Sequence, residues 1–530
     1  MSIHTGLVHL FSSFWLAFFK DFAIFTLGAS CIGTAFVGSF FGVFLHFSFK
    51  KDSLRISHFD DISLIPKRIF YFTAVYILYE WTKSSVLGFL AYPWGTLSSA
   101  AFRFRLLMQI ADITGAYGVS FLFALCSSTL AQGILLVLNP PYQNAKNHFA
   151  SYKNVVNTFV VLLALSFCYG AYQYSKPRLA QKNLNTVLVQ QNANPWDSAS
   201  DIESIECSQK LTEEKIKTFT EKGETCDLVV WSEGVLRYAF PDAENHYRYH
   251  PEEESLCDFI ERMNVPFIIG GAYLVKRNPS RYINSALLFD NEGNFRAANG
   301  KIHLVPFAEI MPGMEFPFLQ KILERIAGIS AGWIAGNRFV YFDIPCTWHK
   351  EKQNDVLKIV SLENTKDEQR AEENKKPLVR ISTPICFEDA FPSDVCRPLF
   401  LNGSEVFINL TDDSWSRTKS AEYQHFAIAA YRAIEYRTTL VRSTNAGVSA
   451  VLDPTAKVLA SLPLFKEDAL AFSVPVYKRC ITTYALFGDW FTLVLFIFAL
   501  YYAFLHYVFA RANLNSSIFD NLKRVLTRKI

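Results

Sequence analysis

The sequence predicts a helical membrane bundle carrying one large α/β domain inserted between its spans. Three observations predict it. Half of the 530 residues are hydrophobic, with Phe alone contributing 48. Apolar stretches long enough for the roughly 20-residue crossing of a bilayer cluster before residue 175 and recur once after residue 483. Between them, segment 175–483 alternates short β-rich runs with amphipathic helical stretches.

The candidate spans are 4–19, 22–49, 67–90, 117–138, 154–173 and 484–510, with Lys20 and Asp21 marking a turn between the first two. Residues 1–30 lack the basic start and small-residue cleavage site of a signal peptide. Loop cations set the orientation. Lys50, Lys51, Arg55, Lys67 and Arg68 lie between the second and third spans, and Lys146 and Lys153 between the fourth and fifth. Arg511, Lys523, Arg524, Arg528 and Lys529 follow the last span. All three groups are cytoplasmic if the N-terminus is inside and five spans precede the domain; Arg103 and Arg105 fall on the opposite side. The division is then 1–174 (spans), 175–483 (soluble domain), 484–510 (final span) and 511–530 (basic cytoplasmic tail). The soluble domain lies on the far side, which in a bacterial inner membrane is the periplasmic side.

Within the domain the strands read as "NTVLVQQ" (185–191), "CDLVVW" (226–231), "VPFIIGGAYL" (265–274), "INSALLFD" (283–290), "LVRISTPI" (378–385) and "SEVFINL" (404–410). Such continuous apolar runs suit strands buried on both faces, with helices such as 420–436 covering them. The result is a layered α/β sandwich. Residues 350–377 interrupt it with dense mixed charge and read as a surface insertion. A net charge of +3 without a basic stripe argues against a nucleic-acid partner. The ten cysteines show no CxxC and no Cys/His spacing for a metal, so no metal and no cofactor are expected. Cys207, Cys226, Cys257, Cys346 and Cys396 could pair as disulfides on the periplasmic side, with Cys386 left free.

Three polar residues stand out by placement. Glu233 follows "DLVVW", Cys386 follows "LVRISTPI", and Lys301 sits in "AANGKIHLVPFAE". Taken singly they read as a helix-start acid, a small buried residue and a loop charge. Groups at strand carboxyl ends of an α/β sheet meet in one crevice, and together these three have a chemical logic. The carboxylate takes the thiol proton, the thiolate attacks a carbonyl, and the ammonium stabilises the resulting oxyanion.

The stretches "VVWSEG", "GKIHLVPFAEIMP" and "PICFEDAFP" resemble the nitrilase (carbon–nitrogen hydrolase) superfamily, whose domain is an α-β-β-α sandwich. The flanking spans, the segment 409–458 beginning "NLTDDSWSRTKSAEYQHF" and the membrane motif "GFLAYPWGTLSSA" (88–100) narrow the resemblance to the apolipoprotein N-acyltransferase family. That resemblance implies Glu233 as general base, Lys301 as oxyanion-stabilising cation and Cys386 as nucleophile. It implies Glu309 and Glu388 as supporting acids, and Trp196, Phe387 and Trp415 at the substrate pocket. It further implies a membrane phospholipid as acyl donor, phosphatidylethanolamine above others. The acceptor would be the amine of a diacylglyceryl apolipoprotein and the enzyme a monomer in the bilayer. Departures are visible: Phe387 stands where the family usually has Tyr, the loop before Trp196 is short, and the spans are fewer. The apolar stretch 310–336 reads either as an ordinary core helix with a loop or as a lid that dips into the lipid interface. Two other readings stand beside this one. A membrane-tethered amidase or nitrilase acting on a small amide needs the three residues but no lid. A non-enzymatic scaffold or transporter needs paired intramembrane charges, and Lys20, Asp21 and Glu80 do not amount to such a set.

Overall fold

The computed structural model describes residues 1–18, 23–54, 64–138, 145–194, 201–278, 280–306, 308–310, 318, 333–348 and 376–504. Its strands, in chain order, are β1 (Ala180–Gln190), β2 (Leu228–Trp231), β3 (Leu236–Phe240), β4 (Phe267–Arg277), β5 (Ser280–Phe289), β6 (Phe295–Gly300) and β7 (Tyr341–Pro345). They continue as β8 (Thr347–Trp348), β9 (Leu378–Ser382), β10 (Val406–Thr411), β11 (Thr439–Thr444), β12 (Ala450–Leu452), β13 (Val458–Ser461) and β14 (Asp468–Tyr477). One sheet has the order β14-β1-β2-β4-β5-β6, with β3 on β4 and β8 on β1. The other has the order β13-β12-β11-β10-β9-β7. In each the central strands are parallel: β1, β2 and β4 in the first, β9, β10 and β11 in the second.

The sheets pack face to face through Leu184, Val230 and Ile268 on one side and Ile381, Ile408 and Val441 on the other. Side chains of opposite parity, such as Val229 and Trp231, point to the outer face of the first sheet. There they meet Ile205 and Phe219 of helix Ile202–Glu221, and Phe259 and Ile260 of helix Leu256–Met263. This two-sided burial is why β2 reads "LVVW" with every residue buried. Both covering helices follow local rules. The first buries Ile205, Ser208, Gln209, Thr212 and Phe219, spaced so that they share one face. The second begins where the Ser255 hydroxyl accepts the Asp258 N–H and ends at left-handed Asn264. Helix Lys419–Glu435, capped by Thr418, covers the second sheet and completes the α-β-β-α order.

The outer layer of the second sheet continues into the membrane segment. Trp15, Trp94, Met108 and Val119 share one core with Phe387, Phe426 and Ile434. Helix Ser2–Ser12 and the 3-10 turn Phe14–Phe18 lie antiparallel on helix Ala23–Leu54, with Met1 beside Gly42 and His9 bonded to Ser30 at 2.8 Å. Together the two pieces reach about 26 Å. The expected straight span 67–90 is instead helix Leu64–Trp81, which breaks into a π turn at Thr82–Val86 and a 3-10 turn at Gly88–Leu90. The break brings the "PWG" loop under the catalytic domain: the buried Lys83 ammonium donates to the Trp94 carbonyl, and Glu80 accepts the Leu97 N–H at 2.8 Å. Among the described residues, three helices are long and apolar enough to cross a membrane, over Thr26–His46, Ala116–Leu138 and Asn147–Ser175. A shorter apolar helix, Trp490–Phe504, follows the domain. The insertion at 350–377 (except 376 and 377), the basic tail 511–530, and most of 310–336 lie outside the described residues. All ten cysteines are free thiols.

Candidate active site

Glu233 stands two residues beyond β2, Lys301 one beyond β6, and Cys386 four beyond β9, all at strand ends on the same side of the sandwich. The turn carrying Glu233 is pressed against β4. Gly270 donates its N–H to the Ser232 carbonyl at 3.1 Å, and a Cβ on Gly270 would lie 2.3 Å from that oxygen and 2.5 Å from Glu233 Cα. Only glycine permits so close an approach. The carboxylate is then fixed at both oxygens. Oε1 accepts Asn284 Nδ2 at 2.7 Å and Lys301 Nζ at 3.2 Å, and Oε2 accepts the Asp412 N–H at 2.8 Å.

Lys301 is completely buried. Its ammonium donates to Glu309 at 2.8 Å as well as to Glu233. Glu309 is held in turn by Asn284 Nδ2 at 3.0 Å and the Val305 N–H at 2.8 Å. Burial alone would lower the lysine; the charge of Cys386 once it is deprotonated, and those of Glu233 and Glu309, outweigh it and raise the ammonium well above its ordinary range. A buried lysine so enclosed keeps its charge.

Cys386 opens a 3-10 turn, Cys386–Ala390, in the left-handed region at φ 52°. A non-glycine residue there is strained and persists only where its surroundings enforce it. Asn409 Nδ2 does so by donating to the Cys386 carbonyl at 2.8 Å and to that of Pro384 at 3.2 Å. Of residues 381–392 all are buried except Cys386, which is half-buried. Burial and then the Glu233 charge push the thiol well above its ordinary value, against the pull of Lys301. The resting group is therefore a neutral thiol that needs a base to become a nucleophile.

Glu388 does not touch Lys301. Its Oε1 accepts the N–H groups of Ile302 and His303 at 2.7 and 3.1 Å, and its Oε2 accepts that of Ile385 at 2.8 Å. It thereby ties the segment after Lys301 to the residue before Cys386. Burial pushes it up to about 7 against those three donors and the Lys301 charge. Phe387 is buried between Trp94, His303 and Phe391, with the Lys301 ammonium 5.7 Å above its ring. It is a wall of the site and carries the contact with the membrane loop. Trp415 is 39% exposed on the turn after β10. Trp196 lies outside the described residues.

One group of functional interest has no counterpart in the sequence reading. Behind Cys386, His425 donates from both ring nitrogens, to Asp413 at 2.6 Å and to Asp389 at 2.9 Å. Arg442 pairs with the same two carboxylates. Although burial acts to lower it, Asp413 and Asp389 raise His425 to about 9, so it is an imidazolium at neutral pH. Trp94 lies against this ring at 5.5 Å and against Phe387 at 6.2 Å. The network therefore links the Cys386 turn to the membrane loop.

Residues 186–476 match the carbon–nitrogen hydrolase family model, and residues 2–129 match that of the apolipoprotein N-acyltransferase N-terminal domain. Apolipoprotein N-acyltransferase 2 of Treponema denticola is 38% identical over 94% of this chain and 86% of its own length. That of Treponema pallidum is 35% identical over 92% of this chain and 82% of its own length. The chain belongs to the apolipoprotein N-acyltransferase family. Apolipoprotein N-acyltransferase of Borreliella burgdorferi is also similar, at 28% identity over 91% of this chain and 81% of its own. Membership makes the chain a membrane acyltransferase built on the carbon–nitrogen hydrolase fold, as the sequence motifs imply.

Proposed function

We propose that this chain transfers a fatty acyl group from a membrane phospholipid, through a thioester on Cys386, to the N-terminal amine of diacylglyceryl-cysteine in apolipoproteins. One observation carries the reading. A half-buried thiol on a strained turn stands among the charges of a buried Glu233–Lys301–Glu309 cluster, on a domain fused to bilayer-crossing helices. Glu233 takes the Cys386 proton, and the sulfur adds to the donor's ester carbonyl. The oxyanion is met by Lys301, whose charge the two carboxylates hold in place. The ester C–O bond breaks, the leaving oxygen takes the proton from Glu233, and lysophospholipid departs. The acceptor amine then adds to the thioester and gives its proton to Glu233. The C–S bond breaks, amide forms, and the thiolate recovers the proton.

Lipid and lipoprotein substrates follow from the family. Phosphatidylethanolamine as preferred donor and action as a monomer belong to the proposal. Trp415, exposed on the turn whose Asp412 holds Glu233, is suited to contact the acyl chain. The loop cations support a cytoplasmic-membrane location with the catalytic domain outside. On this topology a reporter fused after residue 530 reads as cytoplasmic, and one inserted in 350–377 reads as periplasmic; the reverse pattern overturns it.

The chemistry is tested by mixing purified enzyme with phospholipid and no acceptor. One fatty-acyl mass is expected on Cys386, released by neutral hydroxylamine and discharged onto a diacylglyceryl peptide. Cys386→Ser should give no labile adduct, and Glu233→Gln should form it at least about 10²-fold more slowly. Hydrolysis of small amides with no acyl-enzyme from any bilayer phospholipid would instead establish the tethered amidase.

A further inference from the structure

A cavity of about 800 Å³ opens where helix Ala145–Ser175 passes into the domain and the chain returns through helix Thr483–Phe487. It lies at the start of β1, while Gln191, bonded to Ser232 beside Glu233, lies past the other end of that strand. At ~3.3 Å per residue the ten-residue advance is about 33 Å, so this is not the catalytic crevice.

Its lining is basic. Lys176, Arg178, Arg437, Lys478 and Arg479 face it together with one carboxylate, Asp112. Asp112 is already engaged by the Tyr169 hydroxyl and by Arg437 at 2.6 Å. Among the described residues, Arg178 donates to neutral oxygens of Gln173 and Lys176. Burial and then the Arg437 charge depress its guanidinium, with Asp453 and Asp112 offsetting part of the effect. Arg479 lies over the Phe400 ring at 4.7 Å, and among the described residues its buried Nε has no hydrogen-bond partner. The lining also carries apolar residues, of which Leu179 and Ile481 are exposed.

The geometry points to a second lipid site: this cavity binds the phosphate headgroup of an anionic phospholipid from the leaflet facing the catalytic domain. A cavity flanked by the ends of two apolar helices sits at headgroup depth, where Lys and Arg attract anionic lipid. Guanidinium forks suit phosphate oxygens, and the volume falls in the range of small-molecule sites. The apolar part of the lining selects a lipid over a free phosphate, because acyl chains continue from the headgroup across Leu179 and Ile481.

The test uses the full chain, delipidated in detergent, with three probes: dicaproyl phosphatidylglycerol, dicaproyl phosphatidylcholine and glycerol phosphate. Retention is read by native mass spectrometry. The anionic lipid should be held about tenfold more strongly than the zwitterionic one. Lys176→Gln/Lys478→Gln, both exposed and tolerant of change, should erase most of that preference, and adding Arg178→Gln should erase the rest. Lys217→Gln/Lys222→Gln on the distant helix should leave it intact. Equal retention of both lipids, or a preference unaltered in the cavity variants, overturns the site. Binding of glycerol phosphate as tight as the lipid overturns the lipid assignment in favour of a soluble phosphate.

Discussion

The two halves of the sandwich bring different groups to the site and rest on different surroundings. The first sheet supplies Glu233 and Lys301, and its outer helices end in exposed ion pairs such as Arg262 with Glu254 and Glu213. The second sheet supplies Cys386, and its outer layer is sealed against the membrane segment by buried groups. There Arg437 meets Asp112, 325 residues away, at 2.6 Å with both side chains nearly inaccessible, and Tyr431 donates to the Ser98 carbonyl at 2.7 Å. The half with the proposed acid–base groups is thus water-facing on its outer side, whereas the half with the proposed nucleophile is joined to the membrane segment. The Cys386 thiol is thus carried by the half that packs on the membrane segment.

The largest effect should come where the halves meet. Lys301→Met removes the buried cation and leaves Glu233 and Glu309 facing each other around Asn284. Acylation of Cys386 in a single turnover should fall by about 10²–10³-fold, the usual cost of losing an oxyanion donor. A variant that acylates at the wild-type rate would show that the oxyanion is stabilised elsewhere.

Next is the anchor of the nucleophile half. Arg437→Met leaves Asp112 buried without its cation, and breaking such a pair costs about 3–5 kcal/mol. Thermal unfolding should move to markedly lower temperature. A shift no larger than that of an exposed ion pair would mean that the second sheet does not depend on the membrane segment.

Which parts of this arrangement the sequence discloses follows from burial. β2, β4 and β10 are legible because burial on both faces leaves apolar runs, β9 because it alternates apolar and exposed residues before "TPI", and two of the three site residues, Glu233 and Cys386, stand just past such strands. β11, "TLVRST", is hidden because Arg442 sits in its middle, neutralised by Asp389 and Asp413, which lie 53 and 29 residues away. β14 contains Pro475, which is tolerated because the strand is the edge of its sheet, beside β1. The His425 network is equally illegible, since its members are distant in sequence and carry no motif of their own. The surroundings of Phe387 are hidden for a related reason: sequence gives its neighbourhood to Cys386 but not the Trp94 ring that arrives from the membrane loop and packs on it.

The network behind the thiol predicts a pH dependence. His425 is raised from 6.5 to about 9 in the fold. The stabilisation it brings is complete below pH 6.5 and is lost as pH rises through 9. At ~1.4 kcal/mol per pH unit this amounts to about 3 kcal/mol. The stability difference between wild type and His425→Gln, measured by denaturant unfolding, should therefore be widest at pH 6 and shrink by that order at pH 10. A difference constant with pH would mean that the ring is neutral and the network is held by Arg442 alone.

The smallest effect belongs to the water-facing half. Arg262 lies 2.6 Å from Glu254 and 3.3 Å from Glu213, with each side chain about a third to a half exposed. Water screens such pairs, and holding long side chains in one geometry costs entropy, so their net contribution is below about 1 kcal/mol. Arg262→Ala also uncovers Phe259, over which the guanidinium sits at 5.3 Å, adding a few tenths of a kcal/mol at an exposed position. Unfolding should shift by no more than about 1 kcal/mol, and acylation of Cys386 should keep its wild-type rate, because this helix touches the site only through the body of the first sheet. Paired with Arg437→Met, the measurement separates the halves directly. Equal losses in the two variants would mean that the membrane segment adds nothing to the nucleophile half beyond what an ordinary solvent-facing helix gives the other.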